Sequence, residues 1–236
     1  VVDIFDEVDQ DLRAERARRL FGRYGWLLAV VVVLLVGGVS AWQVWQTRQQ
    51  SRDEAAAARM LAAMRLAEPI RPGAADGPAR AAATRAFEDV AASSPEGYRT
   101  LARLRIAALR DGAGDEPGAL AEWDQVAGDA AAPALLRGLA NLLWARRQVD
   151  SGDPAAIEAR LRPLTDQGSA WRPLAAESLA LLDMRTGKDD AARDELRRLA
   201  ADPLASPGVR SRANGLLSRL GADPAQDPDA QAAAAE

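Results

Sequence analysis

The run from Tyr24 to Thr47, YGWLLAVVVVLLVGGVSAWQVWQT, holds no charged residue and is closed by Arg23 and Arg48. A helix needs about 20 apolar residues to cross ~30 Å of hydrocarbon, and Trp26 to Val44 supplies such a core. Tyr24 and Trp26 at one end, with Trp42 and Trp45 at the other, are the aromatic anchors expected at two membrane–water interfaces. A soluble helix of this length keeps a polar face. This one does not, so residues 24–47 read as a transmembrane helix.

The flanks set its direction. Arg16, Arg18, Arg19 and Arg23 crowd the N-terminal side, whereas Arg48 and Arg52 are followed at once by Asp53 and Glu54. Lys/Arg excess marks the cytoplasmic side, which puts the N-terminus inside and residue 48 onward outside. Val39-Ser40-Ala41 would pass as a signal-peptide cleavage site. Against that stand the long acidic leader with Asp3, Asp6, Glu7, Asp9 and Asp11, and an apolar run longer than the ordinary signal core. The expectation is an uncleaved, single-pass anchor. Within it, Gly37 and Ala41 form a small-xxx-small pair suited to close packing by a second membrane helix.

Residues 1–23 read as an amphipathic cytoplasmic helix, with Ile4, Phe5, Val8 and Leu12 at helical spacing and acid-before-base pairs Asp9/Arg13 and Glu15/Arg19. Residues 48–68 lack Gly and Pro and are rich in strong helix formers, which predicts a helical stalk. The stretch 69–78, PIRPGAADGP, breaks it. Residues 222–236 contain no large apolar side chain and read as a disordered tail.

The expected fold class is all-α. Between 79 and 221, helical stretches alternate with short Pro/Gly/Asp punctuation: 79–92, 98–110, 117–126, 133–149, 154–164, 172–185, 189–201 and 209–220. No segment alternates with the period of a strand. Ser94, Asp153 and Ser206 each precede a proline as candidate N-caps, and Gly112, Gly152, Gly187 and Gly221 sit at expected helix ends. Pro95, Pro133, Pro173 and Pro207 recur at roughly 34–40 residues, the period of tetratricopeptide-like helical hairpins stacked as an α-solenoid.

The opening DIFDEVDQDLRAERARRLFGRYG, the WQVWQ that ends the apolar run, and the stretches 97–109, 153–164 and 171–182 resemble a bacterial family of membrane-anchored tetratricopeptide-repeat-like proteins similar to YfgM, the ancillary subunit of the Sec translocon. That resemblance covers nearly the whole chain except the tail. It implies a cytoplasmic N-terminus, a periplasmic repeat domain in the inner membrane, and partnership with the SecYEG channel and an anchored periplasmic chaperone of the prolyl-isomerase type. It brings no catalytic residues with it.

Composition agrees with a binding role. With 30 basic and 34 acidic residues and a net charge of -4, the chain lacks the basic footprint of a nucleic-acid binder. It has no cysteine and no histidine, which removes the thiol and imidazole chemistries and the best zinc ligands. We therefore expect no catalysis, no cofactor and no metal. A solenoid binds along the face built from the first helix of each pair. The candidate partner groove comprises Tyr98, Arg103, Asn141, Trp144 and Glu177, with Arg105, Arg137 and Asn214 nearby; Trp123 and Trp171 read as core. A protein held to a different membrane complex, for example a respiratory one, through its single span is the alternative. Self-association through 209–220 is also open.

Overall fold

The computed structural model describes residues 4–70 and 77–221; within the first helix, the described side chains are those of residues 26, 30, 33–40 and 42 onward. The helices are α1 (Ile4–Ala67), α2 (Gly77–Ser93), α3 (Glu96–Asp111), α4 (Glu116–Gly128), α5 (Ala134–Gln148), α6 (Pro154–Leu161), α7 (Arg172–Arg185), α8 (Asp189–Ala201) and α9 (Pro207–Arg219). A 3-10 turn at Arg162–Thr165 follows α6, where Pro163 ends the α-helical hydrogen bonding that the sequence alone would carry to Leu164. No strand occurs among the described residues.

The chain divides into two compact units, residues 1–55 and 56–236. In the first, the described part is a single helix. Among the described residues, no helix is long and apolar enough to cross a membrane. Leu27, Leu28, Ala29, Val31, Val32 and Ala41, six members of the uncharged run, fall outside the described side chains.

The second unit is a stack of helix pairs. Its core consists of four clusters, each shared by consecutive helices. Met60 and Ala63 of α1 meet Phe87 and Val90 of α2 and Ala102 and Ile106 of α3. Ala107 of α3 then meets Trp123 and Val126 of α4 and Ala140 of α5. Leu142 and Ala145 of α5 meet Ile157 and Leu161 of α6 and Ala175 and Leu182 of α7. Ala176 and Ala180 of α7 meet Leu196 and Leu199 of α8 and Val209, Ala213 and Leu217 of α9. So α3, α5 and α7 each feed two clusters with two different faces, as nearest-neighbour stacking requires. The C-terminal segment of α1, α3, α5, α7 and α9 are the A helices; α2, α4, α6 and α8 are the B helices.

This changes the sequence reading at one place. Residues 56–67, read as stalk, form the first A helix, with Ala56, Met60 and Ala63 buried. A hairpin thus precedes the one beginning at Pro95. Alanine-rich helix hides this: Ala56, Met60 and Ala63 form a buried stripe that composition cannot tell from a solvated one.

The punctuation follows local chemistry. Asp115 caps α4 and Asp153 caps α6, each through a carboxylate accepting from backbone N–H groups, and the Ser206 hydroxyl accepts from Val209 N–H at 3.5 Å. Ser94 does not cap. Pro95 occupies the N-cap position of α3, so Ser94 lies one residue too early, and its buried hydroxyl has no hydrogen-bond partner. Gly187, at φ 76° after α7, adopts the left-handed conformation expected of a closing glycine. After α3 that role falls to Gly114 (φ 81°) rather than Gly112.

Gly138 is needed for a different reason. A Cβ there would lie 2.8 Å from Cδ1 of Trp171, whose indole N–H donates to the Leu135 carbonyl at 2.9 Å. That bond holds the ring in place. Gly138→Ala gains up to ~1 kcal/mol in helix propensity, but overpacking against a fixed ring costs about 1–3 kcal/mol. The clash wins, and the melting temperature followed by circular dichroism should fall. Gly215→Ala in α9, where a Cβ meets nothing within 4 Å, should instead raise stability by about 0.5–1 kcal/mol.

Candidate functional site

Hydrogen bonds to the B helices orient α1, α3 and α5. On α1, Arg59 donates to Ser93 of α2 at 3.0 Å. On α3, Arg110 pairs with Glu88 of α2 at 3.2 Å and Glu122 of α4 at 3.4 Å. On α5, Asn141 Oδ1 accepts from Arg160 of α6 at 3.3 Å. These sides therefore face the B helices. At ~100° per residue, the opposite side carries Leu61 and Met64 on α1, Leu101 and Arg105 on α3, and Leu135, Leu139 and Arg146 on α5. On α7, Arg172 pairs with Asp202 at the end of α8 at 2.6 Å, and by the same spacing the opposite side carries Glu177, Leu181 and Met184. This A-helix face is the candidate site.

The predicted groove residues divide between the two sides. Arg103 lies on the side of α3 that carries Arg110, half-buried, and Tyr98 packs against the first core cluster. Asn141 and Trp144 are joints of the scaffold. Arg160 reaches Asp124 of α4 at 2.5 Å, bonds Asn141, and lies 3.9 Å above the Trp144 ring. Asn141 also donates to the Arg137 carbonyl of its own helix at 3.2 Å. Arg137 closes the preceding turn by donating to the Ala132 carbonyl at 2.8 Å, and exposed Asn214 lies on the outer face of α9. Glu177 is on the A-helix face but only 4% exposed, clamped by two guanidinium bonds from Arg212 of α9, one of 2.7 Å. The hydrogen bond from Arg212 to Glu177 raises the guanidinium pKa above its ordinary value, against desolvation by burial and with the charge of Glu177 adding to the rise. A raised pKa stabilises the fold wherever arginine is charged and is lost only above that range, so the shift at Arg212 brings no pH dependence near neutrality.

Trp123 is buried, as expected of a core residue, and Trp171 is half-buried against the third cluster. In the first unit, Trp26, Trp42 and Trp45 are exposed, and the last two rings lie 5.4 Å apart. Around Gly37, nothing lies within 4 Å of a built Cβ. The side chains of Tyr24, Ala41, Arg16, Arg18, Arg19 and Arg23 are outside the described residues, as is the segment 222–236.

Sequence reasoning missed Arg160, Arg212 and the leucines of the A-helix face. A signal for the first two exists in the spacing. Arg147–Asp111, Arg160–Asp124 and Trp171–Leu135 are each 36 residues apart, Arg212–Glu177 is 35, and Arg59–Ser93 is 34. Complementary residues one repeat apart are brought side by side by the stacking itself.

Residues 18–137 match the tetratricopeptide repeat-like domain, just over half of the chain. The chain belongs to the tetratricopeptide repeat-like family. The matched segment starts before the uncharged run, takes in α2, α3 and α4, and ends inside α5. The hairpins from α6 to α9 continue the same architecture past it. Neither the curated proteins nor the solved structures yield a match. Domains of this tetratricopeptide repeat-like type serve as protein–protein interaction scaffolds.

Among the described residues no three His, Cys, Asp or Glu side chains are grouped to hold a metal. A cleft of about 580 Å³ beside α7 and α8 contains Arg172 and Arg198, already paired with Asp202 and Glu195. Removing Arg160 should test the scaffold role of the Asn141 cluster. Arg160→Ala loses two hydrogen bonds and the cation–π contact, a cost of about 1–2 kcal/mol in urea unfolding. Arg105→Ala, exposed on the A-helix face, should stay within about 0.5 kcal/mol.

Proposed function

We propose that this protein is a non-enzymatic, membrane-anchored scaffold whose repeat domain binds partner proteins along its A-helix face. The observation that carries the anchor is the exposure of consecutive apolar residues in α1. Leu34, Leu35 and Val36 are 68, 63 and 61% exposed. At ~100° per residue they point to three sides of one helix, and Trp26, Val30, Val33, Val39, Trp42, Val44 and Trp45 are exposed with them. Patches of this extent mark a membrane or protein contact, and a helix apolar on all sides is suited to lipid. The uncharged run from Tyr24 to Thr47 adds the length.

On this reading the arginine-rich leader lies in the bacterial cytoplasm, the chain crosses the inner membrane once, and the repeats lie in the periplasm. The partners are the SecYEG channel and an anchored periplasmic chaperone, a choice that rests on the resemblance of the leader and repeat stretches described above. The absence of histidine and cysteine supports a binding role without chemistry. A second reading, an accessory subunit of another inner-membrane complex held through the span, is favoured by the open surroundings of Gly37.

The cysteine-free chain makes topology directly measurable. In intact spheroplasts, Ser211→Cys should react with an impermeant maleimide, and Gln10→Cys should react only after lysis. The reverse pattern would sink the orientation. Photo-crosslinking residues at Leu139 and at Leu34 separate the two partner readings. Adducts with an anchored chaperone from Leu139 and with channel subunits from Leu34 fit the translocon scaffold. Adducts from Leu34 alone, with a complex lacking any Sec component, favour the accessory subunit.

A further inference from the structure

The A-helix face carries an unbalanced charge on an apolar ground. Leu61, Met64, Leu101 and Leu135 are four of the large apolar side chains left exposed in the repeat unit. Between them stand Arg105 and Arg146, both exposed and neither within ion-pair reach of a carboxylate among the described residues. Arg110, Arg147 and Arg160 are all paired with carboxylates. The carboxylates on the A-helix side offer little compensation: Glu177 is taken by Arg212, and Glu68 and Asp150 lie past the ends of α1 and α5, with no ion pair to either arginine.

We infer that this face docks an acidic segment of a partner protein in which aliphatic residues alternate with carboxylates. The leucines and Met64 take the aliphatic side chains, while Arg105 and Arg146 take the carboxylates in the fork geometry that guanidinium offers. The inference rests on the proposed scaffold function and specifies the chemistry of its partner. A basic or purely polar segment lacks the complement to one half of this surface. An anionic lipid headgroup would satisfy the arginines but leave Leu101 and Leu135 unfilled.

The test uses the full chain in mild detergent and a fluorescein-labelled peptide of about twelve residues alternating leucine and glutamate. A leucine–lysine peptide and a serine–glutamate peptide of equal length are the comparisons, read by fluorescence anisotropy. The leucine–glutamate peptide should bind at least about tenfold more tightly than either, and more weakly as salt rises. R105E with R146E should weaken it about tenfold or more. Leu101→Ser should weaken it without changing its salt dependence. Arg85→Glu, the same charge change on an exposed, unpaired arginine of α2, should leave it within about twofold, with melting curves confirming that all variants fold.

Equal binding of the lysine peptide, or no loss in the double variant, overturns the inference. So does competition by anionic vesicles that matches the peptide's own affinity. If the peptide binds only after residues 222–236 are removed, the tail's Asp223, Asp227 and Asp229 already fill the site, and an external partner is overturned. Each of these outcomes leaves the scaffold reading intact, because crosslinking from Leu139 and Leu34 tests that separately.

Discussion

Close approach of helices through alanine is the constraint on which the repeat domain depends. Ala63, Ala83, Ala102, Ala107, Ala119, Ala140, Ala145, Ala175, Ala180, Ala192 and Ala213 are all fully buried. A small side chain at the contact brings axes toward the near end of the usual range of about 8–10 Å. Each alanine face releases little transfer energy. The larger share comes from the few big side chains set between them, such as Phe87, Ile106, Leu142, Ile157 and Leu196, each worth about 1.5–3 kcal/mol when fully buried. Gly138 takes the same principle to its limit, where even a methyl group would meet the Trp171 ring.

Stacking by small residues leaves the lateral register weakly specified, and polar links supply it. Along one edge of the domain, Arg80 donates to the Leu109 carbonyl at the end of α3, and Arg193 donates twice to the Leu220 carbonyl after α9. Arg185 donates to Gly152 O, and Arg147 reaches Glu116. Each link ties the start of a B helix to the end of the next A helix, and two of them, from Arg80 and Arg193, donate to a carbonyl at the C-terminal end of an A helix, where such groups lack an intrahelical partner. At the far end, α9 turns exposed Ser211, Asn214, Gly215 and Ser218 outward while Val209, Ala213 and Leu217 are buried. A polar outer face of this kind needs no further helix to cover it.

The two sides of the A helices thus have separate duties. On the side toward the B helices, Asn141, Trp144 and Arg110 are engaged in the fold. The opposite side keeps its leucines and two arginines unengaged, apart from the Glu177–Arg212 pair near the C-terminal end. In the first unit, the apolar surface of α1 lacks any covering among the described residues.

Helix positions are legible in the chain itself because Pro, Gly and Asp carry backbone meaning locally. Asp153 caps α6 and Gly187 closes α7, as their types dictate. The tetratricopeptide-like period is legible for the same reason, since it is punctuation at a fixed spacing. The uncharged length of residues 24–47 is likewise a property of the chain alone. Faces are different. Whether Asn141 meets a partner or Arg160, and whether Glu177 is open or clamped by Arg212, depends on which residues 19 and 35 positions away arrive beside them. The recruitment of residues 56–67 into the first hairpin is of the same kind. Helix propensity and capping are settled within a few residues, but burial and ion pairing are settled between repeats, so only the tertiary structure could assign them.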